Sequence, residues 1–300
     1  YGVPILVGYE APIREKLREM GVDDDGFEIW NAANTKRTSD YIDYIYERLN
    51  RRGFLLRDVQ RLVKRDRNVF SACMVATGDA DGMITGVTRH YWRALKNIRR
   101  VIDPIPGHRP FGMSIVVTKG RTVFMADTTV NERPNAEELA DIAESAAYFV
   151  KRLGHEPRVA FLSFSNFGNP PSDKTQHIQK AVSILDERDV DFEYDGEMQA
   201  DVALNRDLME QYPFMRLSGP ANVLVMPALH SANIGYKLLT ELGGARVIGP
   251  MLLGMEHSIQ VARMTASASD LVNMAGLAAS TAFALEQARE ELSHNGEDEE

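Results

Sequence analysis

Apolar runs of strand length alternate with amphipathic, helix-length stretches along most of the chain. "PILVG" (4–8), "FEIWN" (27–31), "RVAFLSFS" (158–165), "VDFEYDG" (190–196), "NVLVMPA" (222–228) and "ARVIGPMLL" (245–253) read as strands. Between them, helices are expected at about 12–20, 41–53, 57–77, 90–102, 135–153, 175–187, 233–242 and 269–291. Thr38 and Ser39 are expected to cap the second of these, and Gly53 to end it. Asn135 is expected to cap the fifth, with Glu137 and Glu138 in its first turn. "GMSIVVTKGRTVFMADT" (112–128) reads as a hairpin turning at Lys119-Gly120. Strand-helix alternation of this kind predicts an α/β fold with mainly parallel sheets covered by helices on both faces.

Composition narrows the class of molecule. Three hundred residues, 44% of them hydrophobic, are more than one core needs, so two domains or one large α/β unit are expected. "DPIPGHRP" (103–110) breaks the pattern and reads as a hinge between domains. A net charge of −9 argues against a nucleic-acid surface, which needs a basic excess. The single cysteine, Cys73, excludes an internal disulfide and a cysteine zinc cluster, and its setting in "FSACMVA" reads as a buried thiol. No apolar run approaches the roughly 18 residues of a membrane span. With no signal peptide visible, a cytoplasmic location and no membrane partner are expected. The start at "YGVPILVGYE" enters a strand at once, as a segment of a longer polypeptide would. The acidic "SHNGEDEE" at 293–300 is expected to be a disordered tail.

In open α/β sheets, ligands bind beyond the carboxyl ends of the strands. Four polar clusters occupy such places: Ser163, Ser165, Asn166 and Gly168; Asp195, Glu197 and Asp201; His230, Ser231, Asn233 and Lys237; and "VARMTASASDLVN" at 261–273. Ser231 and Asn233 could cap a helix, with Gly235 admitting a ligand to its amino terminus. The carboxylates of "DGEMQAD" are read as hydrogen-bonded structural groups, and no metal site is expected. GxGxxG, GxxxxGK[ST], HExxH and GxSxG are all missing, and "GDADG" lacks the spacing of a calcium loop.

"RPNAEELADIAESAA", "PRVAFLSFSNFGN", "YDGEMQADVAL", "ANVLVMPALHSANIGYKLL" and "VIGPMLLGM" resemble the phosphate acetyltransferases, block for block from about Asp79 to the final helix. The first hundred residues, with "SNFG" and "DGEMQAD", look closer to the carboxy-terminal acetyltransferase-like domain of large bacterial NADP-dependent malic enzymes. The resemblance implies two α/β domains with a cleft between them, the second inserted in the first. That places domain one at 1–104 plus 252–300 and domain two at 105–251.

Members of the family move an acetyl group between phosphate and coenzyme A, using a base near the thiol and fixed cations on the phosphate. Carried over by motif, the family aspartate falls on Asp270, its arginine on Met264 and the preceding serine on Arg263. An earlier arginine falls on Lys96. A thioether donates nothing to phosphate, and lysine lacks the bidentate fork of arginine. The resemblance therefore implies a degenerate acetyltransferase fold that binds acetyl-CoA as an allosteric inhibitor, through Lys96, Ser163, Ser165, Asn166, Asn233, Lys237, Arg263 and Met264. It also implies an upstream malic-enzyme domain using NADP and Mg or Mn to convert malate to pyruvate, and a homodimer or higher assembly. Two alternatives stand beside it: an active phosphate acetyltransferase working through Asp270, Arg263 and Lys96, and a purely structural oligomerisation module.

Overall fold

A computed structural model describes residues 2–118 and 120–297. Lys119 of the expected hairpin turn and residues 298–300 of the expected tail lie outside the described residues. The chain divides into two compact units, one made of residues 1–103 with 256–300 and the other of residues 104–255. Both are α/β, and their sheets are mainly parallel.

The first unit opens with β1 (Ile5–Val7), α1 (Glu10–Glu19) and β2 (Glu28–Trp30). Next come α2 (Thr38–Leu49), α3 (Leu56–Arg65), α4 (Arg67–Ala76), β3 (Gly82–Gly86) and α5 (Tyr91–Ile98). A 3-10 turn at Asn50–Arg52 ends at Gly53, whose φ of 86° is the left-handed conformation expected of a terminating glycine. Thr38 does not cap α2. It is the helix's first residue, its hydroxyl donates to the Ala32 carbonyl, and no side chain caps that end.

The single helix expected at 57–77 is two helices. Asp66 adopts extended geometry (φ −111°, ψ 109°), and its Oδ1 accepts the N–H groups of Asn68 and Val69. A side-chain cap thus starts α4 with only Asp66 between it and the end of α3, although the apolar spacing runs straight through.

The second unit runs β4 (Phe111–Thr118), β5 (Arg121–Ala126), α6 (Ala136–Arg152), β6 (Arg158–Leu162) and α7 (Gln176–Arg188). It continues through β7 (Glu193–Met198), the short α8 (Ala200–Leu204) and α9 (Arg206–Met209), β8 (Val223–Val225), α10 (Leu229–Glu241) and β9 (Arg246–Leu253). Its six strands lie in the order β7-β6-β8-β5-β4-β9, and only β4 runs against the others. Buried Val159, Ala160 and Phe161 of β6 and Val223, Leu224 and Val225 of β8 form continuous apolar runs, as strands covered on both faces require. Asn135 and Glu138 close a reciprocal capping box at the start of α6, each N–H bonding the other's side-chain oxygen at 2.9 Å. The face of α6 carrying Leu139, Ile142, Ala143, Ala146 and Val150 is fully buried.

The chain then returns to the first unit through β10 (Ser258–Ala262) and α11 (Ala268–Glu297). Strand β10 was not anticipated. It pairs in parallel with β3, matching Gly86 to Ala262. Helix α11 extends past 291, so residues 293–297 of the expected tail are helical.

Candidate functional site

The carboxyl ends of the parallel strands in the second unit carry a buried polar floor. At the end of β5, Asp127 is 2% exposed and collects five N–H donors. Its Oδ1 accepts from Gly112 at 2.9 Å, Thr129 at 2.7 Å and Val130 at 3.0 Å, and its Oδ2 accepts from the backbone of Asn131 at 2.7 Å and its amide at 2.6 Å. Burial raises the pKa of this carboxyl above its ordinary range, and the backbone donors pull the other way. The arrangement locks loop 127–131 to Gly112 of β4. It is a structural knot, and nothing is left on Asp127 for a substrate.

At the end of β6, Ser165 is fully buried and donates its hydroxyl to Glu197 Oε1 at 2.7 Å. Glu197 stands at the end of the neighbouring β7, is also fully buried, and takes the Gly168 N–H on the same oxygen at 2.8 Å. Phe167 between them holds a left-handed φ of 49°, and its N–H donates to the Glu197 carbonyl at 2.8 Å. Asn166 Oδ1 accepts the Gln199 N–H at 2.7 Å. Loop 163–168 is therefore fastened to β7 and the residue after it by five hydrogen bonds, the fifth running from the Ser163 N–H to the Met198 carbonyl at 2.9 Å, a rigid base on which half-buried Ser163 and the Asn166 amide nitrogen are carried. Asp195 and Asp201 serve the backbone as well, accepting from Gly196 and Arg216 and from Val202 respectively. Burial again lifts the Asp195 pKa.

After β8, α10 begins at Leu229, earlier than expected, with Ala228 in extended geometry as its cap residue. Ser231 and Asn233 consequently lie inside the helix and do not cap it, and the Ser231 hydroxyl bonds back to the Ala228 carbonyl at 2.7 Å. Asn233 is half-buried, and Lys237 is exposed one turn further on, with Nζ 6.0 Å from the Tyr236 ring centroid.

In the first unit, the ends of β3 and β10 lie side by side. Gly86 has φ +116°, and a Cβ there would come within 2.1 Å of the Ala262 carbonyl oxygen, so only glycine fits. Two loops therefore leave from one point, Val87–His90 and Arg263–Ser267. Asp66 organises the first of them: its Oδ2 accepts Arg89 at 2.8 Å and the Asn97 amide at 2.8 Å. On the second, Arg263 is half-buried and Met264 is 53% exposed. Among the described residues no carboxylate pairs with Arg263 or with exposed Lys96 of α5.

Asp270 has a structural task. Its Oδ2 accepts the Ser267 N–H at 2.9 Å, while the Asp270 N–H donates to Ser267 Oγ at 3.2 Å. This is a reciprocal capping box at the start of α11, with aspartate in the glutamate position. Asp270→Ala is expected to lower the stability of α11 by about 1 kcal/mol, read as faster amide exchange in its first two turns with unit two unchanged.

Residues 2–279 match the family model described as phosphate acetyl/butaryl transferase. The chain belongs to that family. It is 58% identical over 280 residues to an NADP-dependent malic enzyme of Rhizobium meliloti, covering 93% of this chain and 37% of the relative. It is 31% identical over 282 residues to the phosphate acetyltransferase of Bacillus subtilis, covering 93% and 87%. Among solved structures, a phosphotransacetylase from Streptococcus pyogenes superposes with a TM-score of 0.85 at 30% identity, covering 94% of this chain and 86% of that one. The chain thus spans well under half of its malic-enzyme relative and most of a free-standing acetyltransferase.

Set against these positions, the expected site residues separate by unit. Lys96, Arg263, Met264 and Asp270 belong to the first, and Ser163, Ser165, Asn166, Asn233 and Lys237 to the second. Among the described residues no three His, Cys, Asp or Glu side chains gather as metal ligands, and no helix is long and apolar enough to cross a membrane. Two hubs escaped the sequence reading. Asp127 heads a polar cluster, "DTTVN", at the end of β5, which the strand-end rule could have found. Asp66 could have been read as a helix cap, since Asn and a branched apolar run follow it.

Proposed function

We propose that this chain is a catalytically degenerate acetyltransferase fold that binds acetyl-CoA and regulates an attached NADP-dependent malic enzyme. That enzyme would decarboxylate malate to pyruvate in the cytoplasm, with NADP and Mg or Mn held in its own part of the polypeptide. The observation that carries the reading is Met264. By the resemblance a family guanidinium position falls on Met264, a thioether that is 53% exposed, six residues before an aspartate whose Oδ2 accepts a helix-cap N–H.

Acetyl-CoA carries several phosphate charges and a long polar chain, so a site for it needs cations and open hydrogen-bonding groups. Arg263 and Lys96 suit the phosphates. Ser163, the Asn166 amide nitrogen, Asn233 and Lys237 suit the polar chain, with Met264 against the thioester. Ser165 contributes by holding its loop, because its own hydroxyl is given to Glu197. Regulation further requires that acetyl-CoA bind two states of the parent enzyme with different affinity. A homodimer or higher assembly belongs to this proposal.

Titration calorimetry of the purified chain with acetyl-CoA is the test. Saturable heat is expected, with Arg263→Ala and Lys96→Ala each weakening binding by about fivefold or more, on the order of 1 kcal/mol for each charged group removed. No heat and no thermal shift at millimolar acetyl-CoA would leave a purely structural module.

One observation favours a second reading. Half-buried Arg263, which pairs with no carboxylate among the described residues, could hold phosphate from the position next to Met264, which would allow an active phosphate acetyltransferase with Asp270 as base. The transfer assay described in the Discussion separates the two.

A further inference from the structure

The amino-terminal ends of the parallel strands in the second unit carry positive charge that the candidate site, at their carboxyl ends, does not use. Arg158 is the first residue of β6 and Arg121 the first of β5, and β8 lies between those two strands. Residues 219–222 lead into β8, and Arg206 opens α9. Arg158 Nε donates to the Pro220 carbonyl at 2.9 Å. Arg121 Nη1 donates to the Leu204 carbonyl at 2.6 Å, two residues before Arg206. These backbone bonds hold two guanidinium heads in place at one end of the sheet.

Two of the three cations converge on Gly219. A Cβ built there would lie 3.0 Å from Arg206 Nη2 and 3.9 Å from Arg158 Nε. Gly219 is buried, and among the described residues its N–H has no acceptor. Nor does a carboxylate neutralise the cluster. Ion pairs elsewhere in the unit engage Arg109, Lys151, Arg188 and Arg216, while Arg121, Arg158 and Arg206 form none among the described residues. Glu193 stands opposite Arg158 in the β6–β7 register, but its Oε2 takes the Ser218 N–H at 2.8 Å and the Ser218 hydroxyl at 3.0 Å. In a chain of net charge −9, three arginines left uncompensated at one place repel one another with nothing in the fold to offset it.

We infer that this arginine cluster is a second anion site, built for a small phosphorylated molecule. Its phosphate is gripped between Arg206 and Arg158 over Gly219, with Arg121 adding charge. Guanidinium suits that ligand because its planar fork meets phosphate oxygens two at a time. Arg158 has spent only its Nε and keeps both Nη groups, and exposed Arg206 keeps its whole fork. The site lies at the opposite end of β6 from Ser163, and the inference is independent of the acetyl-CoA reading.

The test is titration calorimetry of the purified chain with inorganic pyrophosphate, in buffer free of phosphate and sulfate. Saturable heat is expected at millimolar pyrophosphate or below. Arg206→Ala should weaken that binding by at least about tenfold, the scale of a lost charge-assisted contact. Arg206 makes no bond within the fold, so without ligand this variant should melt no lower than the wild type. Arg263→Ala and Lys96→Ala should bind pyrophosphate as the wild type does, whatever they do to acetyl-CoA. Absence of saturable heat overturns the inference, and so does equal affinity in the wild type and Arg206→Ala. Binding lost in Arg263→Ala but kept in Arg206→Ala overturns it as well, by assigning the anion to the other set of residues. A thermal shift that sodium chloride reproduces at matched ionic strength also overturns it, because screening alone then accounts for the effect.

Discussion

Asp127→Ala is expected to destabilise the second unit by about 3–5 kcal/mol, the largest effect of any single substitution outside the apolar core. The wild-type carboxylate satisfies four backbone N–H groups and the Asn131 amide, all gathered at the junction of β4 and β5. Removing it leaves buried donors with no acceptor, at roughly 1–3 kcal/mol each before the loop relaxes towards water. Relaxation recovers part of that sum, and loop 127–131 should loosen as it does. For a unit of this size the loss corresponds to a fall in melting temperature of roughly 10 °C. Differential scanning calorimetry checks it, with amide exchange on β5 and β8 to show that the second unit is the one affected. A shift below 2 °C would mean that the loop holds its shape without the carboxylate. Asp127→Asn keeps one acceptor oxygen and should fall between the two.

The second large effect concerns acetyl transfer. Transfer through phosphate requires fixed cations where charge collects in the transition state. Taking away one such cation costs on the order of 2–4 kcal/mol, or roughly 30- to 1,000-fold in rate. On the proposed reading one guanidinium position falls on the thioether of Met264, and another on Lys96, an exposed point charge without the planar fork. The expected rate is therefore at least about 1,000-fold below that of a free-standing acetyltransferase such as the Bacillus subtilis relative. Asp270 does not offset this, since its carboxylate is engaged by the Ser267 N–H.

The fold was legible where local chemistry and long-range packing agree. The runs around Val159–Phe161 and Val223–Val225 are apolar on both faces because helices cover both faces, so period and burial tell one story. The Asn135–Glu138 capping box is local and reads directly from four residues. Elements were misread where a side chain overrides the period. Asp66 interrupts α3 and α4 although the apolar spacing continues, and α10 starts at Leu229 from an extended Ala228 without a polar cap. Strand β10 was missed because "SIQVA" runs without a turn into the hydroxyl-rich stretch that drew attention as chemistry, and its identity depends on pairing with β3, more than 170 residues away.

The site divides in the same way. Position along the strands marked Ser163, Ser165, Asn166 and Asn233, because strand ends are a matter of order along the chain. What each side chain spends its hydrogen bonds on is not local. Ser165 gives its hydroxyl to Glu197, 32 residues on, and Gly168 gives its N–H to the same oxygen. Those partners are set by the adjacency of β6 and β7, which no motif within either strand announces. Asp270 is the opposite case: its cap partner Ser267 lies three residues away, and the structural use of the aspartate was readable from "SASD" alone.

The most direct test is a steady-state assay of the purified chain with acetyl phosphate and coenzyme A, beside the Bacillus subtilis enzyme and the chain's own Asp270→Asn variant. A pocket that has lost its phosphate grip gives acetyl-CoA at least about 1,000-fold more slowly than the Bacillus subtilis enzyme, and the Asp270→Asn substitution changes nothing. Rapid acetyl-CoA formation that vanishes on Asp270→Asn would contradict it, and would make Arg263 a working substitute for the missing guanidinium.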